Sequence, residues 1–129
     1  MSTPSAPIVA LVEDDEQMMQ AMQRVLEMAG YATQLFDSAE TFLESGKACR
    51  AECLVVDVRL PGISGVELHQ RLRAGGNRVP TVFVTAFDDW RRRGLELEGA
   101  DACLVKPFPA ETLVQAVSHT LGEAHAPSP

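Results

Sequence analysis

The stretch that most constrains this chain is Cys53-Leu54-Val55-Val56-Asp57-Val58-Arg59-Leu60-Pro61-Gly62, an apolar run that stops at one acid and then meets a proline–glycine pair. A short hydrophobic run bounded by turn residues reads as a strand buried on both faces, which belongs at the centre of a parallel sheet. Asp57 then stands at the carboxyl end of that strand, the edge where open α/β sheets place ligands and chemistry. An ordinary turn aspartate is the plainer reading, and the remaining residues decide between the two.

The same pattern recurs along the chain. Ile8 to Val12 is an apolar strand that ends in Glu13-Asp14-Asp15-Glu16. From Glu16 the spacing is helical, with Met18, Met22, Val25, Leu26 and Ala29 on one face and Gly30 as the stop. Tyr31 to Phe36 is a second strand, after which Asp37 or Ser38 caps a short helix that runs to Ser45. Beyond the central strand and the loop Leu60 to Ser64, Ser64 caps a helix with Val66, Leu68, Leu72 and His69 on its buried side, ended by Gly75-Gly76. Val79 to Thr85 is the fourth strand, with Pro80 near its first position, where a missing N–H is tolerated. Asp88 to Glu98 is a polar, exposed helix interrupted by Gly94, and Ala102 to Val105 is a last strand ending at Lys106-Pro107. Ala110, Leu113, Val114, Val117 and Leu121 make the final amphipathic helix. Strands alternating with helices in this way imply right-handed crossovers and a doubly wound α/β sheet with helices on both faces.

With 129 residues, 46% of them hydrophobic, the chain suits one domain over residues 8–122, after a flexible segment 1–7 and before a tail or linker start at 123–129. A net charge of -7 argues against direct nucleic-acid binding, which depends on Lys and Arg, and favours cations. The start carries no signal-like stretch and no later run is long enough for a membrane span, so a cytoplasmic protein is expected. Cys49, Cys53 and Cys103 are odd in number and lack CxxC spacing, which reads as reduced thiols, with Cys53 and Cys103 in the core.

Asp14-Asp15, Asp57, Thr85 and Lys106 all fall at the same edge of such a sheet. Three carboxylates gathered in a partly buried cleft repel one another unless their pKa values rise or a cation joins them. Mg²⁺ suits the oxygen ligands, with Mn²⁺ as a substitute. Asp57 is placed to act as nucleophile toward a phosphoryl donor. Mg²⁺ and Lys106 would offset the transferred charge, and the Thr85 hydroxyl and Ala86 N–H would bind a phosphoryl oxygen.

These residues resemble the receiver domains of two-component response regulators over nearly the whole chain, from Ile8 to Leu121. Asp14-Asp15 look like the family's acidic metal pair and Asp57 like its phospho-acceptor. Thr85-Ala86 match its switch hydroxyl and following small residue, Lys106-Pro107-Phe108 its lysine–proline motif, and Pro61-Gly62-Ile63-Ser64-Gly65 the loop after the acceptor. The resemblance implies a flavodoxin-like five-stranded sheet in the order 2-1-3-4-5 and phosphoryl transfer from a histidine kinase. It also implies Mg²⁺ held by Asp15, Asp57 and the Arg59 main-chain carbonyl, with Asp14 acting through water, and a cis bond before Pro107. Phe36-Asp37-Ser38-Ala39-Glu40-Thr41-Phe42-Leu43 and Asp57-Val58-Arg59-Leu60-Pro61-Gly62 look like receivers of regulators with a C-terminal helix-turn-helix output domain. The implied role is a signalling switch in transcription control, with a phosphorylation-dependent homodimer among its states. A stand-alone receiver that acts on a partner protein is the alternative within that role.

Cys103 stands where the family usually carries Tyr or Phe as a switch, and Phe87 and Trp90 are then expected to relay the movement of Thr85. Arg59 and Phe87, each two residues beyond a site residue, would flank an attacking water. A Mg²⁺-dependent phosphohydrolase would need a second acid near the nucleophile, where Arg59 stands. A flavin protein would need a glycine- and hydroxyl-rich loop where Glu13-Asp14-Asp15 would repel phosphate. Met18, Met19 and Met22 read as core, Arg91-Arg92-Arg93 as a solvated face, and His69, His119 and His125 as surface or helix-side residues. Glu13 and Glu16 read as exposed charges.

Overall fold

The computed structural model describes residues 6–46, 50–93 and 99–122. In them β1 (Ile8–Val12), α1 (Glu16–Met28), β2 (Ala32–Phe36), α2 (Ala39–Glu44) and β3 (Cys53–Asp57) are followed by α3 (Gly65–Ala74), β4 (Thr81–Ala86), α4 (Phe87–Arg93), β5 (Ala102–Lys106) and α5 (Ala110–Thr120). The strands form one parallel sheet in the order β2-β1-β3-β4-β5. All of β3 is buried, as a central strand covered on both faces must be.

The two faces of the sheet are filled by alternate residues of the same strands. Ala10, Val12, Leu54, Val56 and Phe83 meet Phe42 of α2 and Leu68 and Leu72 of α3. Val9, Leu11, Val55 and Val84 meet Met22 and Leu26 of α1 and Leu113 and Val117 of α5. Removing one such side chain, as in Leu54→Ala, costs about 2–5 kcal/mol.

Side-chain caps set three helix starts. Asp15 Oδ1 accepts from Met18 N–H at 3.1 Å, Ser38 Oγ from Thr41 N–H at 3.0 Å and Ser64 Oγ from Glu67 N–H at 3.1 Å. A cap of this kind is worth about 1 kcal/mol. At the head of α3 a Cβ on Gly65 would collide with the Asp57 carbonyl, and Gly65 N–H bonds Val58 O at 3.0 Å. The glycine thus lets α3 start directly against the end of β3. Gly62, at φ 76°, lies beside the Glu40 carboxylate, which accepts from Ile63 N–H at 3.1 Å and pins the β3–α3 loop to α2.

Some sequence expectations shift. The inward face of α1 is centred on Met19, Met22 and Leu26, with Met18 and Val25 only partly buried, and Ala29 is the exposed C-cap residue. The fourth strand begins at Thr81, because Val79 N–H is taken by Asn77 Oδ1 at 2.9 Å in a turn and Pro80 has no N–H to give. α4 starts at Phe87, directly after β4, and its Asp89 is buried where an exposed helix was expected. Residues 94–98, the rest of that expected helix, lie outside the described residues, as do Cys49, His125, residues 1–5 and the 123–129 tail. His69 is buried, edge-on to Phe83 at 5.5 Å, whereas His119 is exposed. No described helix is long and apolar enough to cross a membrane.

Candidate functional site

The carboxyl ends of β1, β3 and β5 open into a cleft of about 630 Å³, lined among others by Glu13, Asp14, Asp57, Ala86 and Lys106. Asp57, the last residue of β3, is 7% exposed. Its Oδ2 accepts from Lys106 Nζ at 2.7 Å, and its Oδ1 accepts from the Arg59 main-chain N–H at 2.8 Å. Lys106 ends β5, and its bond to Pro107 is cis, as the family resemblance implies.

The acids differ from the sequence expectation. Glu13, expected as an exposed charge, is 1% exposed, and its carboxylate converges with those of Asp14 and Asp57, one ligand oxygen from each lying within 4.8 Å of the others. The reason is register. Val12 pairs with Val56, and Glu13 N–H still bonds Phe36 O at 3.0 Å, so the ladder runs one residue beyond the apolar run and sets Glu13 beside Asp57. Asp15 stands one step out. Its carboxylate caps α1, although the residue still borders the cleft. The group able to hold a cation is therefore Glu13, Asp14 and Asp57, where the sequence pointed to Asp14, Asp15 and Asp57. Two apolar runs of similar length, each followed at once by an acid, were the signal for Glu13.

Charge in this cluster is not balanced. Glu13 Oε2 accepts from Asp15 N–H at 3.1 Å, but Glu13 Oε1 has no hydrogen-bond partner, and Lys106 Nζ stands off it at 3.7 Å. Burial pushes the Glu13 carboxyl up to about 7; the Asp15 N–H opposes this, the negative charge of Asp57 adds to it and Lys106 counters in part. Burial alone would lower the Lys106 pKa. The hydrogen bond and charge of Asp57, with Glu13 and Asp15 behind it, raise it instead, so the ammonium stays charged.

Thr85 is fully buried at the end of β4, and its hydroxyl donates to the Ala86 carbonyl at 3.2 Å. Register pairs Thr85 with Val105 and Ala86 with Lys106; Ala86 lines the cleft, whereas Thr85 lies one residue behind it and is not among the lining residues. Cys103, paired with Phe83, is half-buried against the α2–α3 side of the core, and burial pushes its thiol up. Phe87 and Trp90 stack with centroids 6.2 Å apart on the outer side of α4, exposed, and Arg91 lies over Phe87. Sequence reasoning missed one further contact. The Arg59 side chain reaches across the cleft mouth to Asp89, Nη2 to Oδ1 at 2.6 Å.

The comparisons with known proteins agree with this architecture. The family model described as the response regulator receiver domain matches residues 9–118. The chain is 33% identical to the transcriptional regulatory protein FixJ of Azorhizobium caulinodans over 123 residues, covering 94% of this chain and 58% of FixJ. It is 35% identical to the C4-dicarboxylate transport transcriptional regulatory protein DctD of Rhizobium meliloti, covering 86% of this chain and 24% of DctD. The chain thus spans about half or less of the length of these relatives. Among solved structures, the response regulator StyR superposes with a TM-score of 0.80 at 37% identity, over 92% of this chain and 60% of StyR. The FixJ N-terminal domain superposes at 0.83 with 27% identity, over 95% of this chain and 99% of that one. With its strand order, cleft and matched span taken together, the chain belongs to the response regulator receiver domain family.

Proposed function

We propose that this domain is a phosphorylation-dependent switch in which Asp57 accepts a phosphoryl group from the phosphohistidine of a histidine kinase. The observation that carries this reading is the setting of Asp57: one carboxylate oxygen held by Lys106 Nζ, the other by the Arg59 N–H, with Glu13 and Asp14 alongside. Two fixed donors orient the nucleophile, and Lys106 is already placed where negative charge develops in transfer.

The residues present fit a divalent cation. Three carboxylates converge, and a buried oxygen of Glu13 has no hydrogen bond in the free protein. Glu13, Asp14 and Asp57 would hold Mg²⁺, or Mn²⁺ in its place, with the Arg59 carbonyl as the main-chain ligand. Asp15 serves the site from the α1 cap. The ion's chemistry when bound is to neutralise the acids and to draw charge from the phosphoryl oxygens. Lys106 would move from carboxylate to phosphoryl oxygen, and the Thr85 hydroxyl and Ala86 N–H would bind the same group.

The added charge would bias the domain between two conformations, read by an output domain or partner that controls transcription, with self-association as a further consequence. Similarity to regulators named as transcriptional supports the output assignment. The test is intact mass after incubation with a small acyl-phosphate donor. One phosphoryl group is expected in the presence of Mg²⁺, none without it and none on Asp57→Asn; a full gain on Asp57→Asn would refute the assignment.

A further inference from the structure

Asp89 and Arg59 form an ion pair that the phosphoryl chemistry above leaves unused. Arg59 follows Asp57 by two residues, and its main-chain N–H already holds Asp57 Oδ1 at 2.8 Å. Its side chain is 71% exposed, yet its Nη2 is fixed at 2.6 Å to Asp89 Oδ1, a carboxylate only 6% exposed in the first turn of α4. Both side chains line the cleft that holds Asp57 and Lys106. An exposed, flexible guanidinium is thus parked on a buried acid at the mouth of the acceptor site.

A phosphoryl group on Asp57 would change the competition for that guanidinium. It carries about -1.5 to -2 charge at neutral pH and three acceptor oxygens, against the single charge of a carboxylate. Guanidinium binds such a group through two parallel hydrogen bonds, which a lysine cannot reproduce. The tether is short, because the Arg59 backbone is itself bonded to the acceptor carboxylate. Asp89 lies next in sequence to Trp90, so what happens to the ion pair is felt where the exposed Phe87–Trp90 stack sits.

Resting on the assignment of Asp57 as acceptor, we propose that Arg59 is a phosphoryl-binding side chain stored on Asp89. Its transfer from the Asp89 carboxylate to the phosphoryl oxygens removes the tie between the β3–α3 loop and α4. The charge at Asp57 is thereby reported to α4 by a side chain exchanging partners, without passing through Cys103.

The probe is beryllium fluoride with Mg²⁺, a non-covalent phosphoryl mimic, with the fluorescence of Trp90, the single tryptophan, reporting on α4. Asp89→Asn, which keeps the shape but releases the guanidinium, is expected to bind the mimic about tenfold more tightly. Its fluorescence before addition should already lie toward that of the loaded wild type. Arg59→Gln is expected to bind about tenfold more weakly, with the Trp90 response lost, and Arg59→Lys should recover only part of both. In the double variant the Asp89 change should add nothing to Arg59→Gln. Wild-type affinity in both single variants, with Asp57 phosphorylated normally by the acyl-phosphate donor, would overturn the exchange alone. Absence of any phosphoryl gain at Asp57 in the wild type would overturn the exchange and the acceptor assignment together. Arg59 is a surface side chain and Asp89→Asn is isosteric, and coincident thermal melts show that each variant is folded.

Discussion

At the amino edge of the sheet His69, Arg73, Asp101 and Thr81 form a closed set. Arg73 Nε donates to His69 Nε2 at 3.2 Å, Arg73 Nη2 lies 3.8 Å from Asp101 Oδ2, and that oxygen accepts from Thr81 N–H at 2.8 Å. At the carboxyl edge Glu13, Asp14, Asp57 and Lys106 are equally close but do not balance, since several acids share one ammonium and a buried glutamate oxygen has no hydrogen bond. The first arrangement ties α3 to the starts of β4 and β5, and its ion pair is partly open to water, which can complete its hydrogen bonds. The second keeps a cost in the free protein that a bound cation would relieve, and such clusters of perturbed groups gather where chemistry is done. Two edges of one sheet, built from the same strands, thus divide structural and functional work.

The largest consequence concerns Glu13. Its folded pKa, about 7, lies above the ordinary 4.5, so between those values the native chain keeps a proton that the unfolded chain sheds. Stability without divalent cations therefore falls as pH rises from 4.5 to 7 and stays low above it. Glu13→Gln is expected to gain on the order of 2–3 kcal/mol over the wild type at pH 8 and nothing near pH 4, measured by urea denaturation in chelator. A gain that is the same at both pH values would mean that the effect is packing and not charge.

Removing the shared ammonium acts in the opposite direction. Lys106→Met should cost about 1–2 kcal/mol at pH 7 without Mg²⁺, because Asp57 and Glu13 lose their counter-charge while both remain buried. In Lys106→Met carrying Glu13→Gln the cost should be smaller than in the single variant, since one of the repelling charges is gone. Equal costs in the two backgrounds would show that Glu13 and Lys106 act independently.

The amino edge gives the smallest effect and the opposite slope. His69 must stay neutral to accept from Arg73, and burial first, then the Arg73 charge, lowers its pKa below the ordinary 6.5, with Asp101 opposing. The unfolded chain takes up a proton there that the native chain resists, so this contribution is present above pH 6.5 and is lost as pH falls below it. Relative to His69→Leu, the wild type should lose about 1 kcal/mol between pH 7 and pH 5, the value of one such hydrogen bond. Parallel curves for the two chains would remove the contrast between the edges.

Much of this was legible in the residue order. The apolar runs ending at Asp57 and Lys106 announced strands and their common edge, and Ser38 and Ser64 announced helix starts that the structure uses. Glu13 was legible only by analogy with Asp57, because taken alone an acid after an apolar run reads as the first solvated residue. Only pairing with Phe36 shows that the ladder continues through it. The one-residue displacement of the acidic group, from Asp14-Asp15 to Glu13-Asp14, has that single cause. The Arg59–Asp89 pair joins residues 30 apart through a loop and a helix start, and no periodicity carries such a contact. Burial of Asp89 is hidden likewise, since α4 begins directly after β4 and turns its first acids toward the cleft.

The most direct test of the unbalanced edge is calorimetric titration of Mg²⁺ into the wild-type chain and Glu13→Gln at pH 7, in two buffers of different ionisation enthalpy. The wild type should bind one ion with net release of protons, because a carboxyl titrating about pH 7 must lose its proton to become a ligand. Glu13→Gln should bind more weakly and release none. Equal affinities in the two chains, with no proton release from either, would contradict the assignment of Glu13, Asp14 and Asp57 as the cation site.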